Sequence, residues 1–243
     1  MTLFKNGFHI INLYFPFYLL LQDHLLASCI IFKLFSINYY IHYGQYNFHL
    51  TYLTKYIRPW VRLSDTGFYY ILAYYFYDES FYSIAYIING AIFISYWVIM
   101  IGLNYKDNDN FHSLLVMGKV GYILERFMSV ASHSLPFFLL HSDMCEYTHS
   151  FNENNLYQSI KWMLLWLCLI YVPYVYYTHD YIYSIMSTKT SIIIKFVGII
   201  FVFFSAFISW KVGSIAQNYY CIHDHDSFTN NMDDQIMQSN DNM

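Results

Sequence analysis

Read from its start, the chain alternates long apolar runs with short polar breaks. The first run extends from about Phe8 to Phe35 and is interrupted near its centre by Gln22, Asp23 and His24. A tyrosine-rich connection from Ser36 to Leu63 follows, carrying Lys55, Arg58 and Arg62. Further runs cover about Trp60 to Tyr77, Phe81 to Tyr105, Phe111 to His141, Tyr157 to Thr178 and Thr190 to Ile215. The breaks between them are polar: Asp78-Glu79, the stretch Lys106 to Asn110, and Ser142 to Asn155. Each run can supply about 20 residues, the length that crosses a hydrocarbon core as a helix.

Backbone groups in lipid must bond one another, which leaves helices or a closed barrel. Hydrophobicity here is continuous and not alternating, so the barrel is rejected. The expected fold is all-α, a polytopic transmembrane bundle of about six membrane-spanning helices, with five as the fallback count. The fourth run is partly amphipathic, so its first part is expected at the interface, with Arg126 to Leu140 entering the core. The organisation predicted is one transmembrane domain, 1–219, and an acidic polar tail, 220–243, of disordered composition.

Composition agrees with the pattern. Hydrophobic residues make up 57% and charged residues only 12%, against about 25% charged in soluble domains. Aromatics reach 23%; because Phe, Tyr, Asn and Ile share AT-rich codons, this bias carries little functional weight. The net charge of −4 includes no basic stripe, so no nucleic-acid partner is expected. Cys29, Cys145, Cys168 and Cys221 form no CxxC pair; a Cys145–Cys221 disulfide is conceivable in an oxidising lumen. No cleavable signal peptide stands out. Bases favour the first and third connections as cytoplasmic, with Lys5 and Lys161 counting against that orientation.

Few residues offer chemistry. His133, in SVASHSLPFFLL, lies well inside the fourth run; at that depth it is expected to face the bundle interior, as a working group or as a neutral histidine bonded to a neighbouring helix. Thr51 and Thr54, in FHLTYLTKY, stand at the entrance to the second helix, where threonine is an ordinary entry residue. As a nucleophile, threonine needs a base, and histidine is the usual one. His179-Asp180 closes the fifth run and reads as a solvated helix end. His223, Asp224, His225 and Asp226 lack the fixed geometry of a metal site. His141, Asp143, Cys145 and His149 fit no zinc spacing. No metal and no organic cofactor is therefore expected, and no familiar soluble catalytic motif is present.

The order of several stretches resembles the androgen-induced family, six-helix membrane hydrolases of fatty-acid esters of hydroxy fatty acids. YGQYNFHLTYL, Tyr43 to Leu53, looks like that family's Tyr-Gly-Gly stretch leading to Phe-Leu-Thr, and places its threonine on Thr51, with Thr54 a competing match. SHSLPFFLLHSDM, Ser132 to Met144, looks like its histidine followed by Leu-Pro-Phe, with a shorter gap between His133 and Leu135 than the family usually has. The fifth run ends in His179 without the usual Gly and Pro, and WKVGSIAQNYY is similar to the family's Gly-then-Asn-Tyr ending. The resemblance covers roughly Phe15 to Tyr219.

What the resemblance implies is a membrane-embedded lipid-ester hydrolase. Thr51 would attack the ester carbonyl, and His133 would take and return the proton. Membrane lipids and a lipid ester would be its partners, in an endomembrane or plasma membrane sooner than an organellar inner membrane. Two other readings stand beside it. One is a non-enzymatic multi-pass subunit of a larger membrane complex. The other is a small carrier or channel using Asp23, His24 and His133, which lacks the broken paired helices of repeat-built transporters.

Overall fold

In the computed structural model, the residues described are 57–58, 60–102, 129–144, 151–179, 181–183 and 190–221, with Ile30, Ile31, Leu34, Ile123, Phe127, Met186 and Thr188 as isolated positions. Thr51, Thr54, Asp23, His24, Cys145, His149, Asp180 and the acidic tail lie outside them.

Among the described residues every extended element is helical. Helix α1 is Leu63–Phe76 and α2 is Phe81–Gly102. Helix α3 covers 129–142. Helix α4, Glu153–Leu165, continues through a π-helical segment, Trp166–Tyr171, into α5, Val172–Thr178. Helix α6 is Ile192–Ala216, extended by π-helical turns at Gln217–Cys221.

Three helical stretches are long and apolar enough to cross a membrane: Phe81–Ile99, Glu153–Thr178 and Ile192–Tyr219. They match the third, fifth and sixth expected runs. Helix α1 has 14 residues, short of the about 20 a crossing needs. The first expected span lies largely outside the described residues. The protein is thus helical with three candidate spans among the described residues.

Local chemistry explains where the helices start and stop. Asn152 accepts from the Asn155 N–H at 3.0 Å and caps α4, and Ser191 accepts from the Ile194 N–H at 3.3 Å and caps α6. Arg62 donates to Asp65 at 2.7 Å, which lets a carboxyl group only 2% exposed enter the first turn of α1. Pro173 stands just inside α5. Having no N–H, it cannot bond the turn before it, and the wider π-helical turn ahead of it absorbs the mismatch. His179 ends α5 in the left-handed region, φ 54°, its N–H bonded to the Val175 carbonyl at 2.9 Å.

Asp78 joins α1 to α2. Its side chain accepts from the Ser80 N–H at 2.7 Å, and its carbonyl from the Phe81 N–H at 3.1 Å. The Ser80 N–H and hydroxyl hold the Asp78 carboxyl below its ordinary value of 3.8. A folded-state value below the unfolded one means stabilisation present above the unfolded value and lost as pH falls through the folded one. The stability difference between wild type and Asp78→Ala, followed by circular dichroism in detergent, is therefore expected to be full above pH 3.8 and to close on further acidification. A pH-independent difference would show that the carboxyl's ionisation has no part in the cap.

Helix α2 is the centre of the bundle and packs on α1, α4 and α6. Its side chains also meet α3 from end to end. Tyr82 bonds the Leu140 carbonyl, Tyr86 lies 3.1 Å from His141 Nδ1, and Trp97 donates to Ser134 at 3.1 Å. Increasing numbers on α2 thus meet decreasing numbers on α3, so the two are antiparallel. The same rule holds for α1, where Asn89 donates to the Gly67 carbonyl at 3.1 Å and Tyr74 meets the Tyr82 ring at 5.2 Å.

Small residues make the α2–α6 seam. Ser205, Ala206, Ser209, Gly213 and Ala216 are the buried positions of α6, a spacing that puts them along one face. In lipid, where tails are as apolar as leucine, close backbone approach replaces the hydrophobic drive between helices. The opposite face of α6 is bare and apolar, with Ile192, Ile193 and Phe196 between 64% and 77% exposed. An apolar surface of this kind suits acyl chains. At its far end Trp210 donates to the Phe151 carbonyl at 3.1 Å, and Lys211 lies 4.4 Å over the Trp210 ring, the pairing expected at headgroup level.

Candidate functional site

Among the described residues, two polar sites occur along the contact between α2 and α3, one towards each end. The first surrounds His133. Its Nδ1 lies 2.6 Å from the Ser129 carbonyl one turn earlier and 3.1 Å from Ser132 Oγ. The Ser132 hydroxyl donates to that same carbonyl at 3.0 Å, which leaves its oxygen as an acceptor towards the imidazole. Both neighbours therefore accept, so Nδ1 carries the proton. Nε2 is then the basic nitrogen, the tautomer a proton acceptor requires. The imidazole is half-buried and stacks on Tyr96 of α2, with ring centroids 4.1 Å apart and planes 10° apart. It turns towards a neighbouring helix, as expected from its depth. Pro136 follows in the same helix, and without an N–H it cannot claim the Ser132 carbonyl as an ordinary residue would.

The second site ties three helices together. Asp143, just beyond α3, is 4% exposed. One of its oxygens, Oδ2, accepts from the Tyr74 hydroxyl at 2.8 Å and the Tyr75 hydroxyl at 3.3 Å. Beside it, Tyr82 bonds the Leu140 carbonyl and Tyr86 bonds His141. Tyr82 and Tyr86 are fully buried, and their rings meet Phe151 edge-on at 6.2 and 5.2 Å. Every polar group in this cluster named here is matched by another helix or by the helix end, which makes it a fastening for α1, α2 and α3. A low dielectric strengthens such bonds and penalises any member left unmatched.

A third junction holds the opposite end of α1. Trp166 donates to the Val61 carbonyl at 2.7 Å, and the Leu63 N–H donates to the Tyr183 hydroxyl at 2.8 Å. Burial pushes the Tyr183 hydroxyl up to about 12, so it stays a neutral phenol that accepts from the helix start.

Of the two residues expected to carry catalysis, His133 is placed in the α2–α3 seam, whereas Thr51 lies outside the described residues. His141 and Asp143 fall in the fastening cluster; Cys145 and His149, their proposed neighbours, lie outside the described residues. No group of three potential metal ligands occurs among the described residues. His179 is an exposed helix end. Sequence reasoning passed over Tyr74, Tyr75, Tyr82 and Tyr86, since tyrosine abundance was set aside as compositional. Their signal was the spacing of Tyr82 and Tyr86 by four residues, on one face of a helix beginning beside Asp78. Comparison with family models, curated proteins and solved structures returned no match to this chain.

Proposed function

We propose that the protein is a membrane-embedded lipid-ester hydrolase in which Thr51 is the nucleophile and His133 its base. The observation that carries the reading is the His133 tautomer: Nδ1 bonded to the Ser129 carbonyl at 2.6 Å, with Nε2 as the proton acceptor. The helix register is compatible with the pair. Gly67 meets Asn89 and Tyr74 meets Tyr82, so the beginning of α1 lies level with Tyr96, on which His133 stacks. Thr51 precedes Ile57, which is described just ahead of α1, by only six positions. Six residues reach at most about 20 Å.

In the proposed reaction, Thr51 Oγ1 attacks the ester carbonyl while His133 Nε2 takes its proton. The tetrahedral intermediate collapses to an acyl-threonine, and the protonated histidine returns the proton to the departing hydroxy fatty acid. Water, deprotonated by the same nitrogen, then attacks the acyl-threonine; the fatty acid leaves, and the histidine returns the proton to Thr51 Oγ1.

The test uses the detergent-purified protein with an ester between a fatty acid and a hydroxy fatty acid. Thr51→Ala or His133→Ala is expected to lower kcat by roughly 100-fold or more, the typical contribution of a positioned acid–base group. Absence of hydrolysis by the wild type, or full activity in both variants, would overturn the proposal.

A second reading, a non-enzymatic subunit of a larger membrane complex, is favoured by the apolar outer face of α6, which a partner helix could cover as well as lipid. Migration as a lone monomer on native gels in mild detergent would count against it.

A further inference from the structure

Ser129 touches both members of a stacked ring pair. Its hydroxyl lies 3.1 Å from the Tyr96 hydroxyl, and its carbonyl lies 2.6 Å from His133 Nδ1. The Tyr96 and His133 rings lie nearly parallel, 4.1 Å between centroids. An imidazole has two broad wells about its outer torsion, and rotation exchanges the nitrogen facing its own helix for carbon. A parallel ring on the neighbouring helix holds the imidazole plane, and within that plane the Ser129 carbonyl selects the well that places Nδ1 towards its own helix. Trp97, the next residue on α2, donates to Ser134 at 3.1 Å, so α2 grips α3 on both sides of His133 in sequence and the stacking distance is fixed.

We propose that Tyr96 is the positioning residue for His133, its ring holding the imidazole plane so that Nδ1 remains on the Ser129 carbonyl and Nε2, at the edge furthest from Cβ, keeps the lone pair. The contact that does this is the ring face; the hydroxyl bond to Ser129 holds the ring of Tyr96 itself in place. The catalytic use of that lone pair rests on the hydrolase reading, whereas the tautomer assignment does not. The group it is set up to receive is a hydroxyl proton, from a threonine or a water.

The experiment separates the two claims. Protein labelled with 15N-histidine is prepared in detergent micelles as wild type, His133→Gln, Tyr96→Phe and Tyr96→Leu, and the His133 signals are identified by their loss in the glutamine variant. The wild type and Tyr96→Phe are expected to show the single tautomer protonated at Nδ1, and Tyr96→Leu a mixture of tautomers. Helix content by circular dichroism checks that each variant is folded. With the ester substrate, Tyr96→Leu is expected to lose about tenfold or more in kcat at unchanged KM, since misplacing a reacting group costs rate and not binding, and Tyr96→Phe to recover most of it. An unchanged His133 signature in folded Tyr96→Leu overturns the proposal. A wild type that hydrolyses no ester while its tautomer still depends on Tyr96 overturns the hydrolase reading and leaves the positioning role standing.

Discussion

Gly90→Val is expected to separate α2 from α6 and to destabilise the protein by roughly 3 kcal/mol, the upper part of the range for overpacking a close-packed core. A Cβ at Gly90 would stand 2.8 Å from Ser209 Cβ and 3.0 Å from a ring carbon of Phe137. The Ser209 hydroxyl could rotate away, but its Cβ moves only with the backbone of α6. Phe137 cannot yield easily either, because it stacks on Phe93 with planes 17° apart and packs on Tyr86. Alanine at the same position is expected to cost less, with the same sign. Reversible unfolding of detergent-solubilised protein by increasing SDS, followed by circular dichroism, measures the effect. Retention of wild-type stability by Gly90→Val would show that the α2–α6 approach is not as close as these distances require.

Asp143→Leu is expected to be the second largest change, about 2 kcal/mol. One interhelical hydrogen bond in a membrane protein averages only about 0.6 kcal/mol, so loss of a single bond would be minor. Here one oxygen, Oδ2, serves two hydroxyls, those of Tyr74 and Tyr75. Leucine would remove that shared acceptor inside an aromatic cluster that gives Tyr74 no easy access to water, since Tyr74 is 4% exposed and its ring packs on Tyr75 and Tyr82. A buried hydroxyl left unmatched costs about 1–3 kcal/mol. Asp143→Asn keeps a carbonyl acceptor and is expected to cost less than half as much. Removing the phenols as well, in a Tyr74→Phe, Tyr75→Phe, Asp143→Leu triple variant, should return part of the loss. Equal destabilisation by leucine and asparagine would assign the effect to packing and not to the bonds.

Much of the helical architecture was legible in the linear pattern. The runs from Phe81, Tyr157 and Thr190 are continuous apolar stretches, and each has its helix in the structure. The run at Trp60 to Tyr77 is a helix too, but its described extent, Leu63–Phe76, is short of a crossing. Arg62 and Asp65 at its start bond each other across one turn, a pairing that needs no depth in lipid. The π-helical turn before Pro173 was not foreseen, because a periodicity of apolar residues does not register one extra residue in a turn.

The candidate site was legible only in part. His133 was visible as an ionisable residue in an apolar run, and that property depends on the sequence alone. Its stacking partner was not: Tyr96 and His133 are 37 positions apart, and nothing local singles out Tyr96 from 28 tyrosines. The use of Asp143 was likewise hidden, since a loop carboxyl reads as solvated until α1 is seen to bring Tyr74 and Tyr75 to it.

The presence of helices long and apolar enough to cross a membrane was thus determined by the sequence itself, because hydrophobicity is a property of each residue and accumulates along a run regardless of what the run packs against. Which polar residues work together was decided only by the tertiary structure. Antiparallel packing of α2 with α3 brings Tyr96 over His133 at one end and Tyr86 to His141 at the other, and such pairings follow from helix register, which no single run contains.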